Sequence, residues 1–432
     1  MARSIRSTAR FFGHVLRDLA GTFRSRWNRF QLRLTGGPDD IFVGVDAFPF
    51  TERKTGVGWY EWNLLMALDH QANGIAYNLY AHTFLAPADP PAPDLPGRRC
   101  LRMRAHHLPA DLALPIGLTL KFLRTIVEPV LRVLDHNDVI WAPNFFMPGS
   151  QLPFGRAMVA TVHDLAFASM PETVAPETLR LLRRHLPTTL FRADHLIAVS
   201  DASAGDLREL LLANPRRIHT IHEGLDPGFP DLKPLATERC TIPDRYLLFV
   251  STLEPRKNVI GVLKAFQLVA EWGYEGHLLL VGRWGWRTDA IKSELDASSV
   301  RDRIIHLDYV ERSRLPSLYR GCDALLFPSW LEGFGLPIVE AMACGAPVVT
   351  SGRSAMPEVA GSAAIYIDPA SPHNIASAVN ALVGDPQLRE RLVALGAARA
   401  SEFSWERAAA ATAETLLQAA GSDGCGDDEY RV

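Results

Sequence analysis

The sequence has little cysteine: five residues in 432 (Cys100, Cys240, Cys322, Cys344 and Cys425), widely spaced and with no CxxC pair. An odd number of scattered thiols argues against a disulfide framework and fits a reducing compartment. Long apolar runs are missing too, since none reaches the ~18 residues that a membrane-spanning helix requires. Charge of one sign is also absent. Against 48 Asp and Glu stand 45 Lys and Arg, for a net charge of -3 and a pI near 6.5. That balance argues against the broad basic surface of a nucleic-acid-binding domain, so no nucleic acid is expected as a partner. With 47% hydrophobic and 22% charged residues and a mean hydropathy of +0.01, neither a disordered nor a fibrous chain is indicated.

What is present is enough chain for two domains of roughly 150 to 200 residues, and two domains leave a cleft. The first 34 residues stand apart, with eight arginines and one acid, Asp18. Their apolar residues Ile5, Ala9, Phe12, Leu16, Leu19, Phe23, Trp27, Phe30 and Leu34 recur at steps of three and four. On a helix they form one stripe flanked by arginines, the layout of a segment lying in an anionic membrane surface. The same stripe also suits packing on the protein itself or an organellar transit peptide.

From IFVGV (41–45) onward, apolar runs alternate with amphipathic segments: WAPNFF, MVATVHD, a helical stretch around Leu179 to Phe191, then HLIAVS. The proline-rich interval Pro87 to Pro96 reads as a surface loop. A second series follows with YLLFVST, HLLLVG, RIIHLDYV, ALLFP, PVVTS and AAIYI. Such alternation predicts an α/β chain of two doubly wound, Rossmann-like domains whose parallel sheets face a central cleft. The expected boundaries are an arginine-rich helix at 1–35, a first domain at 40–235, a second at 240–400, a helix at 401–420 packing back on the first domain, and a disordered tail at 421–432.

Four stretches could carry chemistry. In WLEGFGLPIVEAMACG (330–345), Gly333 and Gly335 bare the backbone amides and Pro337 suits a first helical position, which together make an anion site at a helix start. Glu340 is expected in the first turn and Glu332 beside the glycines. The same pattern also fits a plain strand-to-helix turn with a capping glutamate. In STLEPRKN (251–258), Arg256 and Lys257 follow a strand, where loops point into the cleft, and two cations there suit a diphosphate. In TGVGWY, Gly56 and Gly58 form a glycine loop, but Glu61 stands where a dinucleotide fingerprint needs its third glycine, which disfavours an NAD-dependent oxidoreductase. In TVHDL, His163 at a strand end could donate to a substrate hydroxyl, stabilise positive charge, or serve as a structural hydrogen-bonding residue.

The order TGVGWYEWNLL, APNFFMP, TVHDLAF, AVSDAS, STLEPRKN, LLLVGRWGW, LEGFGLPIVEAMACGAPVV and MPEVAG resembles the retaining glycosyltransferases of family four, over roughly residues 41 to 420. The resemblance implies the GT-B fold and transfer of a hexose from a nucleotide sugar to a saccharide or lipid-linked saccharide, with retained configuration and no metal or other cofactor. It implies that Glu332 lies beside the transferred sugar, that Glu340 holds the ribose hydroxyls, and that the amides of Gly333, Phe334 and Gly335 touch the sugar phosphate. Arg256, Lys257, Glu332 and His163 are the catalytic candidates, with Gly56 and Gly58 on the donor side. Where the commoner family pattern has an arginine five residues before the lysine, this chain has Thr252, and Arg256 supplies the charge. The EPRKN branch is similar to bacterial mannosyltransferases of polysaccharide assembly and favours GDP-mannose. A cytoplasmic enzyme, peripheral on the membrane through residues 1–34, is the expected setting. A homologue that binds a sugar nucleotide without catalysis is the main alternative.

Overall fold

The computed structural model describes residues 41–47, 56–71, 74–83, 101–107, 137–145, 157–233 and 242–421. The arginine-rich segment 1–34, the interval Pro87–Pro96 and the residues after Gly421 lie outside them. The first half builds a seven-stranded sheet from β1 (Ile41–Asp46), β2 (Ile75–Thr83), β3 (Leu101–His107), β4 (Val139–Ala142), β5 (Ala157–Val162), β6 (His195–Ala198) and β7 (Ile218–Thr220), in the order β3-β2-β1-β4-β5-β6-β7. The second half builds a six-stranded sheet from β8 (Tyr246–Val250), β9 (His277–Val281), β10 (Ile304–Leu307), β11 (Ala324–Phe327), β12 (Val348–Ser351) and β13 (Ala364–Ile367), in the order β10-β9-β8-β11-β12-β13. All pairings are parallel.

The expected two doubly wound sheets are therefore present, with their central strands buried on both faces as their apolar character requires. Leu247, Leu248, Phe249, Leu325 and Leu326 are each wholly buried. Three strands do not announce themselves in the sequence. β3 (LRMRAHH) and β7 (IHT) are edge strands, so neither needs an unbroken apolar run. β2 (IAYNLYAHT) is interrupted by Asn78, which is buried and donates to Asn137 Oδ1 at 2.7 Å.

The helices that matter below are α1 (Gly56–His70), α2 (Pro176–Arg192), α3 (Asp201–Leu211), α4 (Val259–Glu271), α5 (Leu336–Ala343), α6 (Met356–Ala360) and α7 (Trp405–Gly421). α7 closes the chain on the first half: its Trp405, Ala409 and Leu416 share a core with Tyr60, Leu64 and Leu68 of α1. Ser404 Oγ accepts from Arg407 N at 3.2 Å and so caps its start. A Cβ on Gly224 would lie 2.2 Å from Trp405 N, so the strand-end segment and the returning helix cross in contact only because that residue is glycine. Gly56 and Gly58 lie inside α1 rather than in a loop, which corrects the sequence expectation. Between the two sheets, Phe229 is fully buried against Tyr319, with ring centroids 6.4 Å apart.

Candidate active site

Each sheet reverses its strand order once, between β1 and β4 and between β8 and β11, and loops leaving adjacent strands in opposite directions open a crevice there. In the second half, the loop after β8 turns through a short 3-10 segment, Pro255–Lys257, into Asn258 at φ 57°. Asn258 Nδ2 donates to Pro328 O at 3.2 Å and Pro369 O at 2.8 Å, tying this loop to those after β11 and β13. Trp330 N donates to Arg256 O at 2.9 Å and completes the junction.

Arg256, Lys257 and Glu332 meet at this point. Lys257 Nζ lies 2.7 Å from both Glu332 carboxylate oxygens. The Arg256 guanidinium donates to Leu331 O at 2.8 Å and to Glu332 Oε2 at 3.3 Å, and lies 3.1 Å from Glu254 Oε1. Burial would raise the Glu332 pKa, but the ammonium of Lys257 and the guanidinium of Arg256 outweigh it and hold that carboxyl below the usual range. For Glu254 burial dominates, and its pKa is raised despite the same two cations. With Asp164 Oδ2 3.7 Å from Arg256, two cations here face three carboxyls. A diphosphate entering this cluster must compete with Glu332 for Lys257.

Glu340 sits apart from that cluster. α5 starts at Leu336, with Pro337 second and Gly335 before it at φ 110°, so Glu340 lies in the second turn and not the first, as the sequence had suggested. Tyr319 OH donates to its Oε2 at 2.9 Å and an Arg312 nitrogen lies 3.5 Å from Oε1. Burial raises the Glu340 pKa, and Arg312 and Tyr319 offset this only in part. Arg312 in turn rests between two rings, its guanidinium carbon 4.9 Å from the centroid of Trp59 on α1 and 4.8 Å from that of Phe229. The two glutamates of the motif thus occupy different settings, one ion-paired and ionised, the other only partly compensated.

Across the crevice, at the end of β5, His163 is buried. Its Nε2 lies 2.9 Å from Pro143 O; a carbonyl only accepts, so Nε2 carries the proton. Nδ1 lies 3.6 Å from Glu223 Oε1. Tyr60 packs edge-on at a centroid distance of 4.7 Å and fixes the ring plane.

Gly333 serves a purpose the sequence does not reveal. A Cβ there would sit 1.8 Å from His163 O, so its missing side chain lets the two halves touch. Ser203 Oγ bridges the same two backbones, 3.0 Å from His163 O and 3.4 Å from Gly333 O. The Phe334 side chain is buried against His222 and Phe403, at centroid distances of 5.9 and 5.4 Å, which leaves only its backbone for a ligand. Gly56 is exposed and Gly58 buried within α1; no contact of either with the Lys257–Glu332 cluster is found among the described residues, although their neighbour Trp59 reaches Arg312.

Further contacts hold the halves together. Glu358 of α6 accepts from Asp201 N at 2.8 Å and Ala202 N at 3.1 Å, the first amides of α3, and lies 2.5 Å from His222 Nε2. Burial would raise its pKa, but His222 and the two amides hold it below the usual range. Trp286 Nε1 donates to Thr173 O at 2.6 Å, and Arg287 donates to Glu172 O. Glu254, Tyr319, Arg312, Glu223 and Glu358 were not singled out from sequence. The available signal was the place of Glu254, Arg312 and Glu223 in segments that follow strands; Tyr319 and Glu358 lie on helices and carried none.

With this geometry in view, residues 56–229 match the family described as Glycosyltransferase Family 4 and residues 241–399 that described as Glycosyl transferases group 1. The chain is 33% identical over 279 residues to O-antigen chain mannosyltransferase B of Escherichia coli, covering 63% of this chain and 72% of that protein. It is 32% identical over 243 residues to the D-inositol 3-phosphate glycosyltransferase of Xylanimonas cellulosilytica, covering 52% of this chain and only 57% of that protein. Among solved structures, Anabaena HepE in complex with UDP-glucose superposes with a TM-score of 0.65 at 20% identity, covering 88% of this chain and 100% of that one. At that identity the likeness concerns the fold.

Proposed function

This chain belongs to the family four glycosyltransferases, and from that premise we propose that it moves a hexose, mannose in the first instance, from a nucleoside diphosphate sugar to a saccharide acceptor with retained configuration. The observation that carries this reading is the Arg256–Lys257–Glu332 cluster at the strand-order reversal of the second sheet. Breaking the bond between the anomeric carbon and the diphosphate puts negative charge on the leaving oxygen. Arg256, Lys257 and the amides of Gly333, Phe334 and Gly335 meet that charge, without a metal ion in the role. Lys257 turns from Glu332 to the phosphate, and Glu332, released, faces the sugar on which positive charge grows.

Glu340 takes the ribose hydroxyls in this reading, and its raised pKa supports the role, because a carboxyl only partly compensated by Arg312 and Tyr319 gains from two further donors. His163 orients the sugar rather than acting as a general base. The leaving phosphate receives the acceptor's proton on the same face. GDP-mannose is favoured by the EPRKN turn and the mannosyltransferase relative; the UDP-glucose bound by HepE makes UDP sugars the second choice. The acceptor we assign is a lipid-linked saccharide, with residues 1–34 as a cytoplasmic-side membrane contact. No described helix is long and apolar enough to cross a membrane.

Thermal melting with GDP-mannose, UDP-glucose and the free diphosphates tests the donor. A ligand at 100 times its Kd raises stability by about 2.7 kcal/mol. If no nucleotide sugar shifts the melt, the donor reading is lost. Release of nucleoside diphosphate only when acceptor is added separates an enzyme from a binding homologue.

A further inference from the structure

We infer that the first half carries a structured docking face for an anionic lipid bilayer, formed by the outer stripe of α2 and the C-terminal end of α3. Single exposed apolar residues are ordinary, but clusters of them are not. Of the eight large apolar side chains exposed among the described residues, four (Leu181, Phe191, Leu210 and Leu212) fall within these two neighbouring helices and their ends. Phe191 (59% exposed) and Leu212 (84% exposed) share the rim of one largely apolar pocket of about 260 Å³, with Pro187, Leu190 and Leu211 in its walls.

The occupant is argued from charge. Arg180, Arg184, Pro187 and Phe191 are all exposed and recur at steps of four, three and four, so they make one stripe along α2, with exposed Arg183 beside it. From Arg180 to Arg192 there are four arginines and no acid. A row of guanidinium groups leading to an apolar rim matches a surface of anionic head groups over acyl chains.

Backbone conformation points the same way. Leu212 ends α3 in the left-handed region, φ 50° and ψ 32°, where a branched side chain is disfavoured and glycine or asparagine is usual. The residue that bears this cost is also the most exposed of the eight. An insertion role accounts for a leucine at a position where a helix cap alone would favour glycine. Docking through this face would hold the first half, which carries His163, at the surface where a lipid-linked acceptor lies. The inference does not depend on the donor chemistry, and it is separate from any contact made by residues 1–34.

The test is sedimentation of the full chain with vesicles of phosphatidylcholine alone or mixed equally with phosphatidylglycerol, in low and high salt. Wild type is expected to bind the mixed vesicles, more weakly as salt rises. Phe191→Ser with Leu212→Gly is expected to lower the bound fraction about tenfold or more, as removal of two inserting side chains requires. Leu212→Gly alone is the control for folding. Glycine suits φ 50°, so its melting temperature is expected to hold or rise while vesicle binding falls, whereas a residue that merely caps α3 would gain stability and leave binding unchanged. Arg180→Gln with Arg184→Gln is expected to reduce the salt dependence. Absence of wild-type binding, or equal binding by the double variant, overturns the proposal. Loss of a self-associated species in that variant with vesicle binding intact overturns it too and assigns the face to a second copy of the chain.

Discussion

At the strand-order reversal of the first sheet stand Asp46, ending β1, and Glu61, on the helix that follows; at that of the second stand Arg256 and Lys257, ending the loop after β8. The backbones are alike and the charges opposite. In the first crevice Glu61 is wholly buried, neither carboxyl oxygen has a hydrogen-bond partner, and burial with the nearby Asp46 pushes its pKa well up. In the second, buried charges are paired within hydrogen-bonding distance. A doubly wound sheet therefore supplies a place for a ligand, and the side chains at strand ends decide which charge it can hold.

Four substitutions would break or sharpen this contrast. The largest effect is expected from Lys257→Ala. With the fold kept, transfer should drop by ~10²–10³, the usual cost of losing one preorganised donor to a developing anion. Turnover equal to wild type would remove Lys257 from the mechanism and make the second crevice no more catalytic than the first. Gly333→Ala comes next. Since its Cβ would lie 1.8 Å from His163 O, the halves must part at that contact, and a misplacement of this size is expected to cost about 10²-fold in kcat/KM. Donor binding alone, read by melting shift, should suffer less, because the residues proposed to hold the phosphate all belong to the second half.

Glu358→Gln probes the bridge between the halves. A charge-assisted hydrogen bond contributes about 1.5 to 3 kcal/mol, so contact between the halves should weaken by that order, read as faster amide exchange at Asp201 and Ala202. The folded pKa of Glu358 is depressed, so its contribution is full above the ordinary value of 4.5 and is lost as pH falls through the lower, folded value. The variant should lack this acid limb. If its exchange profile at low pH matches wild type, Glu358 does not hold the halves.

The smallest effect belongs to Glu61→Met, and its sign is reversed. The folded pKa is raised, so the unfolded chain releases its proton first, and wild-type stability falls as pH rises above 4.5. Replacing an unpartnered buried carboxyl by an apolar group of similar shape should raise stability near neutral pH by about 1 kcal/mol or more. The gain should shrink toward pH 4.5. A loss of stability instead would mean that Glu61 has a partner in solution.

The second half was almost fully legible in sequence. Its six strands are mostly apolar runs, and the Glu332–Glu340 and EPRKN stretches each fall in the segment after a strand. The first half was less so, because β2 carries a buried asparagine and β3 and β7 lie at edges, where apolar continuity is not required. Gly333 shows the limit best. Its backbone freedom was visible beside Glu332, but the reason for it, a carbonyl 170 residues earlier in the chain, was not.

Local patterning by itself determined the two parallel sheets, the place of the two cations and the pair of glutamates, since strand burial and strand-end loops act through neighbours in sequence. Only the tertiary structure decided that Lys257 is held by Glu332, that His163 Nε2 donates to the Pro143 carbonyl, and that the pKa values of Glu332 and Glu340 shift in opposite directions. Those properties depend on burial and on partners within a few ångströms, and groups brought that close by folding are far apart along the chain.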